Sequence, residues 1–150
     1  MLLKTKVNII KLNEDAKIPT YGSTYSAGAD LSALLDDDQL TIPPHKTTMV
    51  HTGIAIELPE GTVGLICARS GLAKNKALAP ANKVGVIDSD YRGELIVALH
   101  NHSDEQQCIE NGERIAQLMI VPYVQADFKE CENLSDTQRG TGGFGSTGTI

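Results

Sequence analysis

Carboxylates, guanidinium groups and glycine-rich turns recur in this sequence at spacings that suit phosphate chemistry. The run Gly85-Val86-Ile87-Asp88-Ser89-Asp90-Tyr91-Arg92-Gly93-Glu94 reads as a β-hairpin. If the strand stays extended, Asp88 and Asp90 fall on one face, because side chains alternate with a period of two. Paired carboxylates can activate a water or hold a divalent cation, whereas in a plain turn Asp and Gly serve only local hydrogen bonding. Arg69-Ser70-Gly71 lies where a strand gives way to a short helix. With Ser70 as N-cap, its hydroxyl, the first helical N–H groups and the Arg69 guanidinium could converge on one phosphate. The plainer reading is a capping Ser beside a surface Arg. No GxSxG elbow surrounds Ser70, so a serine nucleophile is disfavoured.

Near the end of the chain, Gly140-Thr141-Gly142-Gly143-Phe144-Gly145 matches GxGxxG letter by letter. A dinucleotide fingerprint must follow a strand and open a helix, and the sequence after it is too short for that. No Lys follows the glycines, so a Walker A loop fails as well. What remains is a run of backbone N–H groups led by Arg139 and followed by Ser146 and Thr147. Such a run either wraps an anion as a nest or is a plain disordered tail. His100-Asn101-His102 puts two imidazoles on one strand face without a third ligand in sight, which favours an exposed strand over a metal site. Asp36-Asp37-Asp38 reads as a solvated loop.

These groups need a scaffold, and the apolar pattern supplies strands. KVNIIKL, TTMVHTGIAIEL, TVGLICA, ELIVALHNH and RIAQLMIVPYV are short, often alternating, and rich in Val, Ile and Thr. Turn signals divide them at Pro43-Pro44, Pro59-Glu60-Gly61, Ser89 to Gly93 and Asn111-Gly112. No amphipathic helix follows each strand, so the pattern predicts an all-β sandwich or barrel, with one brief helix starting near Ser70. A chain of 150 residues can hide about 68–70% of its unfolded surface in one domain, without disulfide or metal staples. The three cysteines form no CxxC pair and are expected to be reduced and at least half-buried. From about Asn133 the composition turns to Gly, Ser and Thr with Phe144 as the one aromatic. The expectation is therefore a β-barrel domain over 1–132 and a mobile tail over 133–150 that a ligand or partner would have to order. The apolar runs are too short for a membrane-spanning helix, and the N-terminus lacks a signal-peptide pattern, which predicts a cytoplasmic protein. With a net charge of −6 and no Trp, no broad basic stripe or stacking platform is present, and generic nucleic-acid binding is disfavoured.

Taken together, the segments Ala27-Gly28-Ala29-Asp30-Leu31, Ala68-Arg69-Ser70-Gly71-Leu72-Ala73, Gly85 to Glu94, Gly112-Glu113-Arg114-Ile115-Ala116-Gln117 and Arg139 to Gly148 resemble the five ordered motifs of the homotrimeric deoxyuridine triphosphatases. Ala68 departs from the Pro that more often precedes Arg-Ser-Gly in that family. The resemblance implies a jelly-roll-like β-barrel subunit and a homotrimer with active sites at the subunit interfaces. It implies hydrolysis of dUTP to dUMP and pyrophosphate with Mg²⁺ as cofactor, which keeps uracil out of DNA and supplies dUMP for thymidylate synthesis. By resemblance, Asp88 is the base that activates the attacking water. Asn82 and the backbone of Gly85, Val86 and Ile87 read uracil, and Tyr91 lies under the deoxyribose. Arg69, Ser70, Gly71 and Gln117 become phosphate ligands, and Asp30 acts through water on Mg²⁺ held mainly by the triphosphate. Arg139, Phe144, Gly145, Ser146 and Thr147 belong to a closing tail, with Phe144 stacked on uracil.

Elementary chemistry supports those roles. A triphosphate carries about four negative charges, so an acidic protein needs Mg²⁺ and convergent Arg to bring it near a carboxylate. In-line attack on phosphorus asks for positioning and charge stabilisation more than for a covalent nucleophile. A fixed backbone edge can pair with uracil and mismatch cytosine. Two rivals stand beside this reading. One is a dCTP deaminase of similar fold, which needs a further acid-base group near the base; the other is a module that docks a regulatory protein partner.

Overall fold

The computed structural model describes residues 4–143, which form an all-β, jelly-roll-like fold. Its strands are β1 (Asn8–Lys11), β2 (Thr20–Tyr21), β3 (Ala29–Ser32), β4 (Gln39–Ile42), β5 (Thr47–His51) and β6 (Ile54–Glu57). They continue as β7 (Thr62–Cys67), β8 (Leu78–Pro80), β9 (Val84–Ile87), β10 (Ile96–Asn101), β11 (Gln107–Glu110) and β12 (Arg114–Pro122), with one helix, α1 (Ser70–Lys76), between β7 and β8. The hydrogen-bonded strands fall into four antiparallel sheets and not into one closed barrel. Five strands run in the order β2-β3-β12-β7-β9, three in the order β5-β10-β8, and β1-β6 and β11-β4 form pairs.

Alternation in sequence becomes alternation in burial. Along β10, Val97, Leu99 and Asn101 point inward, and along β3 Ala29 and Leu31 do. Leu31, Ile42, Val50, Ile54, Leu78, Leu95, Leu99, Ile109 and Ile115 are fully buried in one core. Asn101 is buried with them because its amide donates to the carbonyls of Ile42 and Glu105 while its oxygen accepts from Ser103, which removes the penalty for hiding a polar group. Helix α1 is held to this body by buried Leu72 and by Lys76, whose Nζ donates to Glu113 and to the Cys108 carbonyl. A cation in the last helical turn also suits the helix dipole.

Several expectations need correction. The segment 85–94 is not a hairpin: β9 pairs with β7, whereas the chain beyond the turn enters β10 in a different sheet. Strand pairing is non-local here, and turn residues alone cannot say whether the chain folds back or crosses over. Ser70 is the first helical residue and Arg69 occupies the N-cap position, with extended backbone and no side-chain cap bond. Cys67 and Cys108 are half-buried as expected, but Cys131 is exposed, because it lies in a stretch without apolar partners. Apart from these corrections, the last strand ends at Pro122, eleven residues before Asn133, and residues 123–143 carry no helix or strand. Val124, Phe128 and Leu134 in that stretch are almost wholly exposed. No helix among the described residues is long and apolar enough to cross a membrane.

Candidate functional site

Register sorts the polar residues of the five-stranded sheet onto its outer face. Thr20 pairs with Asp30, Asp30 with Gln117, Gln117 with Cys67, and Cys67 with Val84. Residues directly opposite in antiparallel strands project to the same side, so these five form one row, while Leu31, Ala116, Leu118 and Ile66 beside them face the core. Arg69 follows β7 by two residues and lies at the end of this row. Its Nε donates to Asp30 Oδ1 at 2.7 Å and its Nη1 to the Arg114 carbonyl at 3.2 Å. Arg114 Nη1 in turn donates to Asp30 Oδ2 at 2.9 Å. Asp30 is thus clamped between two guanidinium groups with its side chain only 12% exposed, and the three groups together keep one net positive charge.

Gln117 supports the same loop from the neighbouring position. Its Nε2 donates to the Ala68 carbonyl at 2.9 Å, holding the backbone just before Arg69. A methyl group at Gly28 would meet Gln117 Oε1 at 2.6 Å, so glycine is what leaves room for this side chain. Ser70 and Gly71 are exposed at the start of α1, and open space surrounds Gly71. The sequence reading singled out Asp30, Arg69, Ser70, Gly71 and Gln117, and they do lie at one end of the sheet. It did not single out Arg114 as a site residue.

The second cluster surrounds β9, an edge strand of that sheet with β7 on one side only. Gly85 is buried, and a methyl group there would press on Ile66 at 3.2 Å and on the Asn82 amide at 3.3 Å, so Asn82 folds against the strand it precedes. Val86 is 62% exposed. Asp88 is exposed immediately after the strand, where the Tyr91 N–H donates to the Asp88 carbonyl at 3.1 Å and closes a turn. The backbone therefore stops being extended at Asp88, and the expected one-faced pair of Asp88 and Asp90 does not form. Tyr91 folds back over Gly93, where a methyl group would collide with the ring, and its hydroxyl donates to the Glu94 carbonyl at 3.0 Å. Glu94 fixes the far side of the turn. Its Oε1 accepts from the Thr52 and Gly53 N–H groups at 3.2 and 2.7 Å, and its Oε2 pairs with His51 at 2.8 Å. Burial pushes its pKa up, but the bonds from His51, Gly53 and Thr52 outweigh burial and hold it below the ordinary carboxylate value.

The two clusters do not meet within one chain. Val84 pairs with Cys67 near Arg69, whereas Ile87 pairs with Gly64 at the other end. Asp88 lies four residue steps beyond Val84, or roughly 13 Å at about 3.3 Å per residue. Among the described residues Arg139 bonds within its own turn, Nε to the Gly142 carbonyl at 2.8 Å, and Phe144, Gly145, Ser146 and Thr147 lie outside the described residues. The His100 and His102 rings touch edge to face at 4.5 Å. The pKa of His102 is lowered by burial and then by the positive charge of His100, Lys83 and His45. Among the described residues no group of three or more His, Cys, Asp or Glu side chains is gathered to hold a metal ion.

Comparison with known proteins gives one consistent result. The dUTPase family model matches residues 14–148. A deoxyuridine 5'-triphosphate nucleotidohydrolase of Hydrogenobaculum sp. is 50% identical over 143 residues, covering 95% of this chain and 98% of the relative. One from Desulfitobacterium hafniense is 46% identical over 147 residues, covering 97% of both. Among solved structures, the dUTPase of Staphylococcus bacteriophage 80alpha with dUPNHPP superposes with a TM-score of 0.88 at 28% identity, covering 97% of this chain and 100% of the phage chain.

Proposed function

The chain belongs to the dUTPase family, hydrolases that act on dUTP, and from that premise we propose that it cleaves dUTP to dUMP and pyrophosphate at a site shared between subunits of a homotrimer. One observation carries the shared site. If the outer edge of β9 reads uracil through Gly85, Val86 and Ile87, the turn after it holds the deoxyribose under Tyr91 and the attacked phosphorus near Asp88. The rest of the phosphate chain then extends onward, away from Asn82 and Val84. Arg69, Ser70 and Gln117 of the same chain lie back beyond Val84, on the wrong side of the uracil edge. A nucleotide is ordered base, sugar, phosphate, so a second chain has to supply the phosphate cluster. The exposed Val84 and Val86 on β9, and the exposed Val124, Phe128 and Leu134 beyond β12, offer apolar surface for such contacts.

In this reading Asp88 accepts the proton of the water that attacks the α-phosphate, and pyrophosphate leaves. Arg69, Ser70, Gly71 and Gln117 hold the phosphate chain through N–H and hydroxyl donors fixed before the substrate arrives. Asn82 and the β9 backbone choose uracil. The tail, with Arg139, Phe144, Gly145, Ser146 and Thr147, closes on the bound nucleotide and excludes water. The donor set fits Mg²⁺ that arrives on the triphosphate: both oxygens of Asp30 already accept guanidinium bonds, and a carboxylate paired in this way suits contact with the ion through water better than direct ligation. When bound, the ion offsets triphosphate charge and polarises phosphoryl oxygens. The reaction in a cytoplasmic setting keeps uracil out of DNA and supplies dUMP for thymidylate synthesis. Pyrophosphate release measured over dUTP, dCTP, dTTP and UTP, with and without Mg²⁺, tests the assignment. The expected result is Mg²⁺-dependent release from dUTP alone, and ammonia release from dCTP would overturn it in favour of a deaminase.

A further inference from the structure

We propose that Arg114 is a positioning residue for phosphate binding: it holds the Asp30 carboxylate so that Asp30 in turn aims the Arg69 guanidinium at the phosphate chain. The inference rests on the function proposed above and deepens it. Strand β12 carries a register shift between Arg114 and Ala116, so that Arg114 pairs with Ser32 while Ala116 pairs with Leu31. Ile115 is the extra residue, and Ile115 and Ala116 are both fully buried. In an unbroken strand Arg114 would share a face with Ala116 and point into the core. The bulge reverses the phase and puts Arg114 on the outer face with Asp30 and Gln117. Bulges of this kind re-aim side chains, and they gather beside active sites.

The hydrogen bonds divide the labour. Arg69 spends Nε on Asp30 and one Nη1 proton on the Arg114 carbonyl. A guanidinium has five N–H donors, so three remain unclaimed among the described residues, in a plane that Asp30 fixes. Arg114 donates to the other Asp30 oxygen and is itself 55% exposed. An exposed ion pair on its own contributes little. This one shares a carboxylate that is only 12% exposed with a second Arg, and that sharing has two effects. It stops Asp30 from rotating, and it keeps the trio at one net positive charge, where Asp30 and Arg69 alone would be neutral toward an incoming anion.

Calorimetric binding of a non-hydrolysable imido analogue of dUTP and of deoxyuridine to Arg114→Gln, Arg114→Lys, Arg69→Gln and the Arg69→Gln/Arg114→Gln double variant tests this. Arg114→Gln should weaken the analogue about 10-fold, a loss of order 1.4 kcal/mol, and leave deoxyuridine binding and the melting temperature close to wild type. Arg114→Lys restores the charge and should recover affinity to within about 3-fold. Because the part of the Arg114 effect that holds Asp30 acts through Arg69, the loss in the double variant should be smaller than the two single losses combined. Unchanged analogue affinity in Arg114→Gln, equal weakening in the Gln and Lys variants, or fully additive losses in the double variant would each overturn the proposal. Failure of the wild-type protein to release pyrophosphate from dUTP would instead overturn the proposed function, and it is read in a separate assay.

Discussion

Gly28→Ala probes the site through space alone. Gly28 does not have a positive φ, so alanine brings no backbone strain, and any effect must come from the added methyl group. That methyl would lie 2.6 Å from Gln117 Oε1 and 3.1 Å from both Cβ and Cδ of Gln117. Rotating the amide relieves the first contact, but Cβ is tied to strand β12 and cannot move away. Gln117 can therefore give way only together with the strand backbone, and its bond to the Ala68 carbonyl is weakened. Overpacking of this kind costs about 1–3 kcal/mol, and weakening a hydrogen bond adds up to about 0.5–1.5 kcal/mol. If the loosened loop carries the phosphate ligands Arg69 and Ser70, kcat/KM for dUTP should fall roughly 10- to 100-fold, along with the melting temperature. Adding Gln117→Ala to Gly28→Ala removes the atoms in conflict and should recover stability but not activity. Melting temperatures and steady-state kinetics on the two single variants and the double variant decide the matter. Wild-type kcat/KM in Gly28→Ala, or stability losses that simply add in the double variant, would refute the reasoning.

Asp88→Asn keeps shape and removes the proton acceptor, so kcat should fall by about 10²–10⁴ while the imido analogue of dUTP still binds; a near-normal kcat at saturating Mg²⁺ would exclude Asp88 as the base. Tyr91→Ala removes the ring that packs on Gly93 and should narrow the ratio of kcat/KM for dUTP over UTP, with an unchanged ratio assigning Tyr91 to the fold alone. Glu94→Gln should destabilise the protein near neutral pH, since the neutral amide cannot replace a carboxylate that accepts from Thr52, Gly53 and His51. The native pKa of Glu94 lies below its ordinary value of 4.5, so the stabilisation is complete above 4.5 and is lost as pH falls through the native value. Melting curves of wild type and Glu94→Gln should therefore converge as pH drops below 4.5, and a constant difference across that range would contradict the linkage.

The strands whose apolar residues alternate were legible as strands, and the Val97 and Leu99 face of β10 lies inside as the alternation requires. Their partners were not legible. Residues 85–94 have hairpin-like turn chemistry, yet β9 joins β7 while β10 joins β5 and β8. A turn specifies local dihedral angles, whereas pairing depends on contacts between segments far apart in the chain. Of the proposed site residues, chemical type and position singled out Asp88 as a carboxylate beside a turn and Arg69 as a guanidinium where a strand gives way to a helix, whereas Asp30, Asn82 and Gln117 came only from the family resemblance.

Arg114 shows why type alone falls short. In GERIAQL, strict alternation from Gln117 would place Ile115 outside and Arg114 inside. Ile115 and Ala116 are adjacent apolar residues flanked by polar ones, and in a half-exposed strand such a doublet conflicts with a period of two. The conflict disappears if one residue is extra, and the ladder does contain that residue. A phase slip in an otherwise alternating strand is therefore a readable sign of a bulge. Its position between two long polar side chains indicates that both reach the same face. The slip puts the Arg114 guanidinium on the outer face, where it reaches the same carboxylate that Arg69 holds.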